Sequence, residues 1–421
     1  MKSKINGLVR QFDAQYFEKI NLVASENLSS ENMRHALSSD INHRYVMPTK
    51  AERDPALWEY PNQNILRQIV SETQKVACEL FHARHADISP LSGNQVASIM
   101  LTCLLQKGDS FLSIGSQDGG HFTTDKLAQT HGYNRFDLPY TNGSLDITKT
   151  KQMVRNHKAK MIFLDASMIT HPYPLQELRK AVGEDVIISY DASHTMGIIA
   201  GEQFQSPLTE GADFLHGSTH KSLFGAQKGI ILSVHDKDSS LGQKVFKRIT
   251  PEFVSNAHPH HIAAVGIALE ELRDFGQDYA KNVIKNARLF AMEASRRGII
   301  FENARNSFTN NHQLIARMGN EKKAEVAFRH LEEVNINVNM VTVPHTNGTQ
   351  HGLRLGFSEI TRRNMSEQAV IQLANLFADT IMQSRKANNI RSDVKALSSA
   401  HRGIGYTHPQ CNAETTSLHA G

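Results

Sequence analysis

The sequence predicts an α/β fold with a mostly parallel sheet, helices on both of its faces, and a smaller α+β domain after it. Between residues 86 and 233, short apolar runs typical of buried strands alternate with helical patterns, which is the order of a parallel sheet covered on both sides. Beyond a long helical stretch the pattern changes to α+β. The chain has 421 residues, 40% of them hydrophobic, and is long for a single domain, so two domains are expected.

The N-terminal part precedes this alternation. A polar helix is predicted to about residue 19, and residues 46–61 are predicted as a loop because they contain three prolines. From Ile65 to Phe81 apolar residues recur at spacings of three and four, which indicates a helix that faces the core.

Strands and helices then alternate along the chain. Strands are predicted at 86–90, 111–114, 160–165, 186–190, 212–216 and 229–233, and helices at 97–105, 123–130 and 174–183. In the second domain we predict strands at 313–318, 336–342 and 352–357 and helices at 322–333 and 366–388. The predicted division is an arm and loop (1–61), a large α/β domain (62–260), a bridging helix (261–297), a small α+β domain (298–390) and a partly disordered tail (391–421).

Charge and cysteine content argue against several function classes. Lys and Arg number 46 against 42 Asp and Glu, and the chain contains no run of five or six basic residues that would favour a nucleic-acid partner. The three cysteines fit neither a disulfide framework nor a paired metal motif. No apolar stretch has the length of a membrane span or the pattern of a signal peptide. We therefore expect a cytoplasmic protein without membrane or nucleic-acid partners.

Two charged residues stand where predicted strands end. Asp191 follows the strand 186–190, with His194 three residues later, and Lys221 follows the apolar run 212–216. Sheets of this kind place their ligands at the carboxyl ends of strands. A single lysine there is more often a solvated turn residue. A strand-end lysine and carboxylate in one sheet are, however, what a pyridoxal phosphate (PLP) enzyme needs, since the lysine holds the aldehyde as a Schiff base and the carboxylate keeps the pyridine nitrogen protonated.

Three further motifs carry related chemistry. Ser92-Gly93-Asn94 stands where a strand passes into a helix, and free backbone N–H groups at such a place can bind phosphate. His121 follows Gly119-Gly120 after another strand, although a structural role is the common alternative for such a histidine. Arg354 lies in an apolar strand and needs an anion, which is either a substrate carboxylate or the partner in a structural salt bridge.

The order of these motifs resembles the serine hydroxymethyltransferase family of fold-type I PLP enzymes, whose fold is like that of aspartate aminotransferase. The resemblance extends from about Ile20 to Met365. It rests on motifs that occur in the family's order, namely Ile20–Asn27, Ser92–Gln95, Gly119–His121, Asp191–His194, Ser218–Lys221, Leu353–Gly356 and Ile360–Arg363. This resemblance implies a seven-stranded, mostly parallel sheet in the large domain.

The resemblance also implies roles in binding the cofactor. Lys221 would carry PLP as a Schiff base, Asp191 would pair with the pyridine nitrogen and His121 would stack on the ring. Hydrogen bonds around the ring oxygen would come from Ser167 and His194. The phosphate group would be held by the residues Ser92, Gly93, Asn94, Ser218 and His220.

For the substrate, the resemblance implies that Arg354, helped by Ser25, binds the carboxylate. Tyr45 matches a tyrosine that in the family reaches the neighbouring subunit's site. This match implies a homodimer with shared active sites.

Three features depart from the hydroxymethyltransferase pattern, one of which is the absence of the family's tandem-tyrosine, double-glycine segment near Tyr45. Met47 replaces a proton-transfer glutamate two residues after the tyrosine, and a thioether cannot transfer a proton, so the use of tetrahydrofolate is in doubt. The family's glycine-rich phosphate loop is replaced by residues 255–261, which include three histidines. The chain is more similar to the L-threonine transaldolase branch in its tryptophan-containing loop, in Gly217–Gly229 and in Phe308–Gln313. His312 lies in the last of these segments and is a further candidate site residue of unknown role.

We therefore expect PLP-dependent aldol cleavage and formation at Cα–Cβ of a β-hydroxy-α-amino acid, through a glycine quinonoid, with a second aldehyde as acceptor. One alternative is a folate-dependent serine or α-methylserine hydroxymethyltransferase in which another group replaces the glutamate. The other is a non-catalytic binding protein with the same fold. No metal is expected, because no carboxylate lies at ligand spacing from the histidines of 258–261.

Overall fold

The computed structural model describes residues 3–48, 59–141 and 143–410. The α-helices are α1 (Lys4–Tyr16), α2 (Glu31–Ser38), α3 (Asn64–Phe81), α4 (Gly93–Leu104), α5 (Thr123–His131), α6 (Ile147–His157), α7 (Leu175–Val182), α8 (Met196–Ala200), α9 (Pro207–Glu210), α10 (Ser240–Arg248), α11 (Pro259–Arg296), α12 (Glu321–Glu333), α13 (Ser358–Arg362), α14 (Glu367–Met382) and α15 (Ala387–Ala400).

The strands are β1 (Ile20–Asn21), β2 (His85–Asp87), β3 (Ser110–Ser113), β4 (Asn134–Asp137), β5 (Tyr140–Thr141), β6 (Ser144–Leu145), β7 (Met161–Leu164), β8 (Ile187–Asp191), β9 (Phe214–Ser218), β10 (Gly229–Ser233), β11 (Ile300–Phe301), β12 (Gln313–Gly319), β13 (Ile336–Asn337), β14 (Asn339–Thr342) and β15 (His351–Gly356).

A seven-stranded sheet forms the larger part of the molecule, in the order β2-β10-β9-β8-β7-β3-β4. Neighbouring strands from β9 to β4 are parallel, and of the seven strands only β10 runs in the opposite direction. Strands β7, β9 and β10 are buried at every position, because helices cover both faces of the sheet. The predicted α/β fold with a mostly parallel, seven-stranded sheet is confirmed.

A second, four-stranded antiparallel sheet lies in the C-terminal part, in the order β11-β12-β15-β14. Helix α12 packs against this sheet, and α14 packs against α12. The predicted strand 336–342 is divided in two: β13 pairs in parallel with β1, so that Ile20 lies opposite Ile336, and β14 pairs with β15.

Helix α11 contacts both parts of the molecule. The hydroxyl of Tyr279 donates to the main-chain oxygen of Ser222 (2.9 Å) beside the seven-stranded sheet, and Asn286 Nδ2 donates to Thr361 Oγ1 (2.9 Å) in the C-terminal part. The predicted domain boundaries stay a prediction. None of the helices in the described ranges is both long and apolar enough to cross a bilayer.

The end of the chain differs from the prediction. The helix predicted at 366–388 ends at Met382, because Gln383 adopts a left-handed conformation with φ of 52°. A separate helix, α15, then covers part of the predicted tail. Its residues Ile390, Val394 and Leu397 are buried at helical spacing, but the surrounding polar residues hid this pattern. Residues 411–421 of the predicted tail lie outside the described residues.

Candidate active site

Several strand ends meet at one edge of the seven-stranded sheet. Strands β7, β8 and β9 are parallel neighbours, so Asp165, Asp191 and Ser218, which stand at their carboxyl ends, come to the same edge. Helix α4 begins at the same edge, where Ser92 Oγ accepts a hydrogen bond from Gln95 N (3.2 Å). A Cβ atom on Gly93 would lie 2.9 Å from Ser218 Cβ, so the close approach of this helix to β9 requires glycine.

A cavity of about 180 Å³ lies at this edge. The structure brings to it every residue that we predicted to bind the cofactor, namely Ser92, Gly93, Asn94, His121, Ser167, Asp191, His194, Ser218, His220 and Lys221. Their individual roles stay predictions. Other lining residues, among them Thr123, Thr124 and Asp165, were not identified from the sequence.

Lys221 presents its amine to the cavity. Its Nζ lies 3.3 Å from Nε2 of His194. Burial lowers the pKa of Lys221 to about 8, and this effect outweighs the opposing attraction of Asp191. At pH 7.5 about a quarter of such amines are neutral, whereas an ordinary lysine is almost entirely protonated. The site therefore holds an amine that can act as a nucleophile near neutral pH.

Asp191 is supported by groups on neighbouring segments. Its Oδ1 accepts a hydrogen bond from Ser193 N (2.8 Å), and Nδ1 of the buried His216 lies 4.0 Å from its Oδ2. Burial lowers the pKa of His216 to about 4, so this ring is neutral and forms no ion pair with Asp191. We missed His216 in the sequence, although its two-residue spacing from Ser218 on β9 places both side chains on one face.

His121 reaches the cavity through a tight double-glycine turn. Gly119 has a φ of 93°, and a Cβ atom on Gly120 would lie 2.1 Å from the main-chain oxygen of Ile114. His121 Nδ1 lies 2.5 Å from Thr123 Oγ1. Burial lowers the pKa of His121, which favours the neutral imidazole. In the tautomer whose Nδ1–H donates to Thr123 Oγ1, the Nε2 atom can accept a proton.

Asp165 is a second carboxyl group in the lining that sequence analysis missed. It accepts hydrogen bonds from Ile114 N (3.1 Å) and from the hydroxyl of Thr124, and its main-chain oxygen accepts one from His121 N (3.0 Å). Burial raises the pKa of Asp165 to about 7, and the charge of Asp191 acts in the same direction. The strand 160–165 was predicted, but the burial of its last side chain depends on neighbouring strands.

The ring of His312 packs against the ring of His194. The two rings are nearly parallel, with centroids 5.8 Å apart. The Nε2 atom of His312 lies 3.1 Å from the main-chain oxygen of Ala24, and burial lowers its pKa to about 3. His312 therefore contributes a neutral ring that fixes His194, and it is not among the cavity-lining residues.

Arg354 approaches the cavity from the four-stranded sheet. Its guanidinium donates from Nη1 to Ser167 O (2.9 Å) and from Nη2 to Asn339 Oδ1 (3.0 Å). Arg354 does not line the cavity itself, but its contact with Ser167 places a positive charge at the border. The group can meet a carboxylate there.

The other predicted substrate-binding residues lie outside the cavity lining. Ser25 is half-buried in the segment after β1. Tyr45 is 44% exposed and stacks on Tyr60, with ring centroids 4.9 Å apart. Met47 is buried, and its main-chain N–H donates to Gln63 Oε1 (3.0 Å). The tryptophan of the predicted loop, Trp58, falls within 49–58, outside the described residues.

The polar groups of the site fit PLP. Buried atoms without a hydrogen-bond partner in the described structure include Ser218 Oγ, His194 Nδ1, His220 Nδ1 and Arg354 Nε. Because buried polar atoms are normally paired, they indicate a polar ligand. The N-terminus of the 12-residue helix α4 suits a phosphate, Asp191 suits a protonated ring nitrogen, and the Lys221 amine suits an aldehyde.

The histidines at 258, 260 and 261 lie close together, with ring centroids 4.3 to 6.0 Å apart. Within the described ranges, no group of three or more His, Cys, Asp or Glu side chains is arranged to hold a metal ion.

Comparisons with known proteins agree on the class of protein. The family model of serine hydroxymethyltransferase matches residues 2–377. Curated serine hydroxymethyltransferases of Archaeoglobus fulgidus and Methanocaldococcus jannaschii are each 32% identical to this chain, over 94% and 93% of it and 90% and 92% of their own length. The crystal structure of L-threonine transaldolase from Pseudomonas fluorescens in the internal aldimine state matches with a TM-score of 0.90 and 27% identity, over 96% of this chain and 92% of that one.

Proposed function

Because the chain belongs to the serine hydroxymethyltransferase family of fold-type I, PLP-dependent transferases, we propose that it binds PLP and cleaves and forms the Cα–Cβ bond of a β-hydroxy-α-amino acid. One observation carries this proposal: Lys221, Asp191 and His121 line a single cavity, and the Arg354 guanidinium lies at its border. Family enzymes act on amino acids, and these residues supply an amine, an anion, a neutral base and a carboxylate-binding group.

Bound PLP supplies the aldehyde and the electron-accepting ring. The chain's own residues prepare the site for it. Lys221 provides a partly neutral amine. Asp191, which has no ion pair with the neutral His216, would hold a proton on the ring nitrogen. The N–H groups at the start of α4 and the unpaired hydroxyl of Ser218 bind the phosphate.

Arg354 and His121 act on the substrate. Arg354 binds the substrate carboxylate and so fixes the direction of the Cα–Cβ bond. His121 in the tautomer that donates from Nδ1 to Thr123 would take the proton of the β-hydroxyl group at Nε2. This role is open to His121 because Met47 stands where the family has its proton-transfer glutamate.

Two versions of this chemistry differ in the second substrate. The family model and the curated relatives favour the alternative, hydroxymethyl transfer from serine, over the transaldolase reaction that we expected from the sequence. The buried thioether of Met47 and the similarity to a threonine transaldolase structure support the second version, in which threonine is the donor. The two versions share the proposed site and bond.

The purified protein with added PLP separates these versions. Serine and threonine are supplied in turn, with and without tetrahydrofolate or an added aldehyde, and the products are identified by mass spectrometry. Serine conversion that requires tetrahydrofolate supports hydroxymethyl transfer, and threonine conversion that requires an aldehyde supports transaldolation. The Lys221→Ala variant is the control. A wild-type protein that neither takes up PLP nor converts either amino acid contradicts the proposal.

We also propose a homodimer in which Tyr45 contributes to the partner's site, since its ring is exposed in the single chain. Light scattering measures the mass. If the proposal is right, mixing the inactive variants Tyr45→Ala and Lys221→Ala restores part of the activity, because each mixed dimer contains one intact site. A monomeric protein, or no recovery after subunit exchange, contradicts it.

A further inference from the structure

A second lysine is buried close to the cavity. Lys228, which directly precedes β10, is only 1% exposed. Its Nζ donates hydrogen bonds to three main-chain oxygens, those of Ser89 (3.1 Å), Pro90 (3.3 Å) and Ala257 (2.6 Å). Lysine is rarely buried to this degree without a specific partner, so this arrangement needs an explanation.

The three acceptors match an ammonium group. An ammonium has three N–H donors, whereas a neutral amine has two and would direct its lone pair at a carbonyl oxygen. Burial lowers the pKa of Lys228 to about 7, against the opposing attraction of Asp87. The three carbonyl acceptors favour the charged form, because a neutral amine would place its lone pair against one of them. The charge also acts on the neighbouring His258, His260 and His261, whose pKa values are lowered mainly by burial and further by Lys228. A nearby anion would be bound favourably in this region.

Lys228 is connected to both segments at the phosphate end of the cavity. Ser89 and Pro90 lie just before Ser92, which begins the proposed phosphate site. On the other side, the main-chain oxygen of Lys228 accepts a hydrogen bond from Thr219 N (3.0 Å), between Ser218 and His220.

The neighbouring residue, Gly229, shows how tightly these segments pack. Its N–H donates to Pro90 O (3.0 Å), and a Cβ atom on it would lie 2.8 Å from Ser92 O. A change at position 228 is therefore transmitted to the backbone of both segments.

We propose that Lys228 is a positioning residue for the cofactor's phosphate group: it ties the segment before Ser92 to Ala257 and supplies positive charge beside the phosphate site. This inference rests on the proposed binding of PLP. It assigns to Lys228 a contribution to phosphate affinity that does not require contact with the amino acid substrate.

Comparison of PLP with pyridoxal, which lacks the phosphate, tests this role. The dissociation constants of both compounds are measured by absorbance with apo-protein of the wild type and of Lys228→Met, Lys228→Gln and Lys228→Arg. Lys322→Met, which removes an exposed lysine, is the matched control. Thermal unfolding of each apo-protein shows that it is folded.

The wild type should prefer PLP over pyridoxal. In Lys228→Met and Lys228→Gln the ratio of PLP affinity to pyridoxal affinity should fall by about tenfold or more, which corresponds to about 1.4 kcal/mol. Their affinity for pyridoxal should stay within about twofold of the wild type. Lys228→Arg should retain most of the preference, and Lys322→Met all of it. If the Met variant does not fold, the Gln variant supplies the same comparison.

Two results would overturn the inference. One is an unchanged preference in the neutral variants, and the other is an equal loss of affinity for both compounds, which shows a purely structural role. Failure of the proposed function looks different, since the wild type would then bind neither compound.

Discussion

Replacement of Asp165 by asparagine tests the electrostatics of the cavity with little change in shape. The carboxyl group is buried and accepts hydrogen bonds from Ile114 N and the Thr124 hydroxyl. Burial raises its pKa from 3.8 to about 7. The asparagine amide keeps the size of the side chain and one acceptor oxygen, but it cannot ionise.

The expected effect follows from linkage between proton binding and folding. Since the pKa of Asp165 is higher in the folded protein than in the unfolded chain, its contribution to stability is fully present below pH 4 and is lost as the pH rises through 7. Each pKa unit corresponds to about 1.4 kcal/mol, so three units correspond to about 4 kcal/mol. The free energy of unfolding of the wild type should fall by this amount relative to the variant between pH 4 and pH 8.

Urea unfolding of both proteins at a series of pH values measures this difference. Asp185→Asn, which replaces an exposed carboxylate, is the control and should show no comparable trend. A difference between Asp165→Asn and the wild type that stays constant within about 0.5 kcal/mol over this range would refute the reasoning, because it would show that Asp165 titrates in the folded protein as it does in the unfolded chain.

Three further predictions concern the reacting groups. The rate of Schiff-base formation between apo-protein and PLP can be followed by absorbance. It should rise with pH and level off above about 8, since neutral Lys221 is the reacting form. A rate that does not change between pH 6 and 8 contradicts this prediction. Arg354→Lys should raise KM for the amino acid by about 10- to 100-fold with a smaller change in kcat, because lysine cannot form the bidentate pair with a carboxylate. A fall in kcat as large as the rise in KM would argue against carboxylate binding by Arg354. Met47→Glu should increase tetrahydrofolate-dependent conversion of serine, because it restores a carboxyl group that can transfer a proton. Unchanged conversion of serine would show that another residue already transfers the proton.

The parts of the fold and site that could be predicted depend on local signals. Buried parallel strands such as β7 appear as continuous apolar runs, and Asp191 directly follows the apolar residues of β8. Lys221 lies three residues after the end of β9. Asp165 and His216 were missed because a polar side chain at a strand end has no local mark of burial, which arises only when neighbouring strands are aligned. The reaction branch is also not resolved by sequence, since Met47 removes a reactive group and does not indicate what replaces it.

The pairing of β1 with β13 has a consequence for synthesis of the protein. The main-chain oxygen of Glu18 accepts a hydrogen bond from Asn335 across 317 residues of sequence, next to the pairing of Ile20 with Ile336. At a translation rate of about 5–20 residues per second, the segment around Ile20 waits roughly 15–60 s before its partner has been made. During that interval Ile20 and Leu22, fully buried in the folded protein, remain exposed on the nascent chain. The ribosome-bound chain should therefore be a substrate for chaperones until the last quarter of the protein emerges.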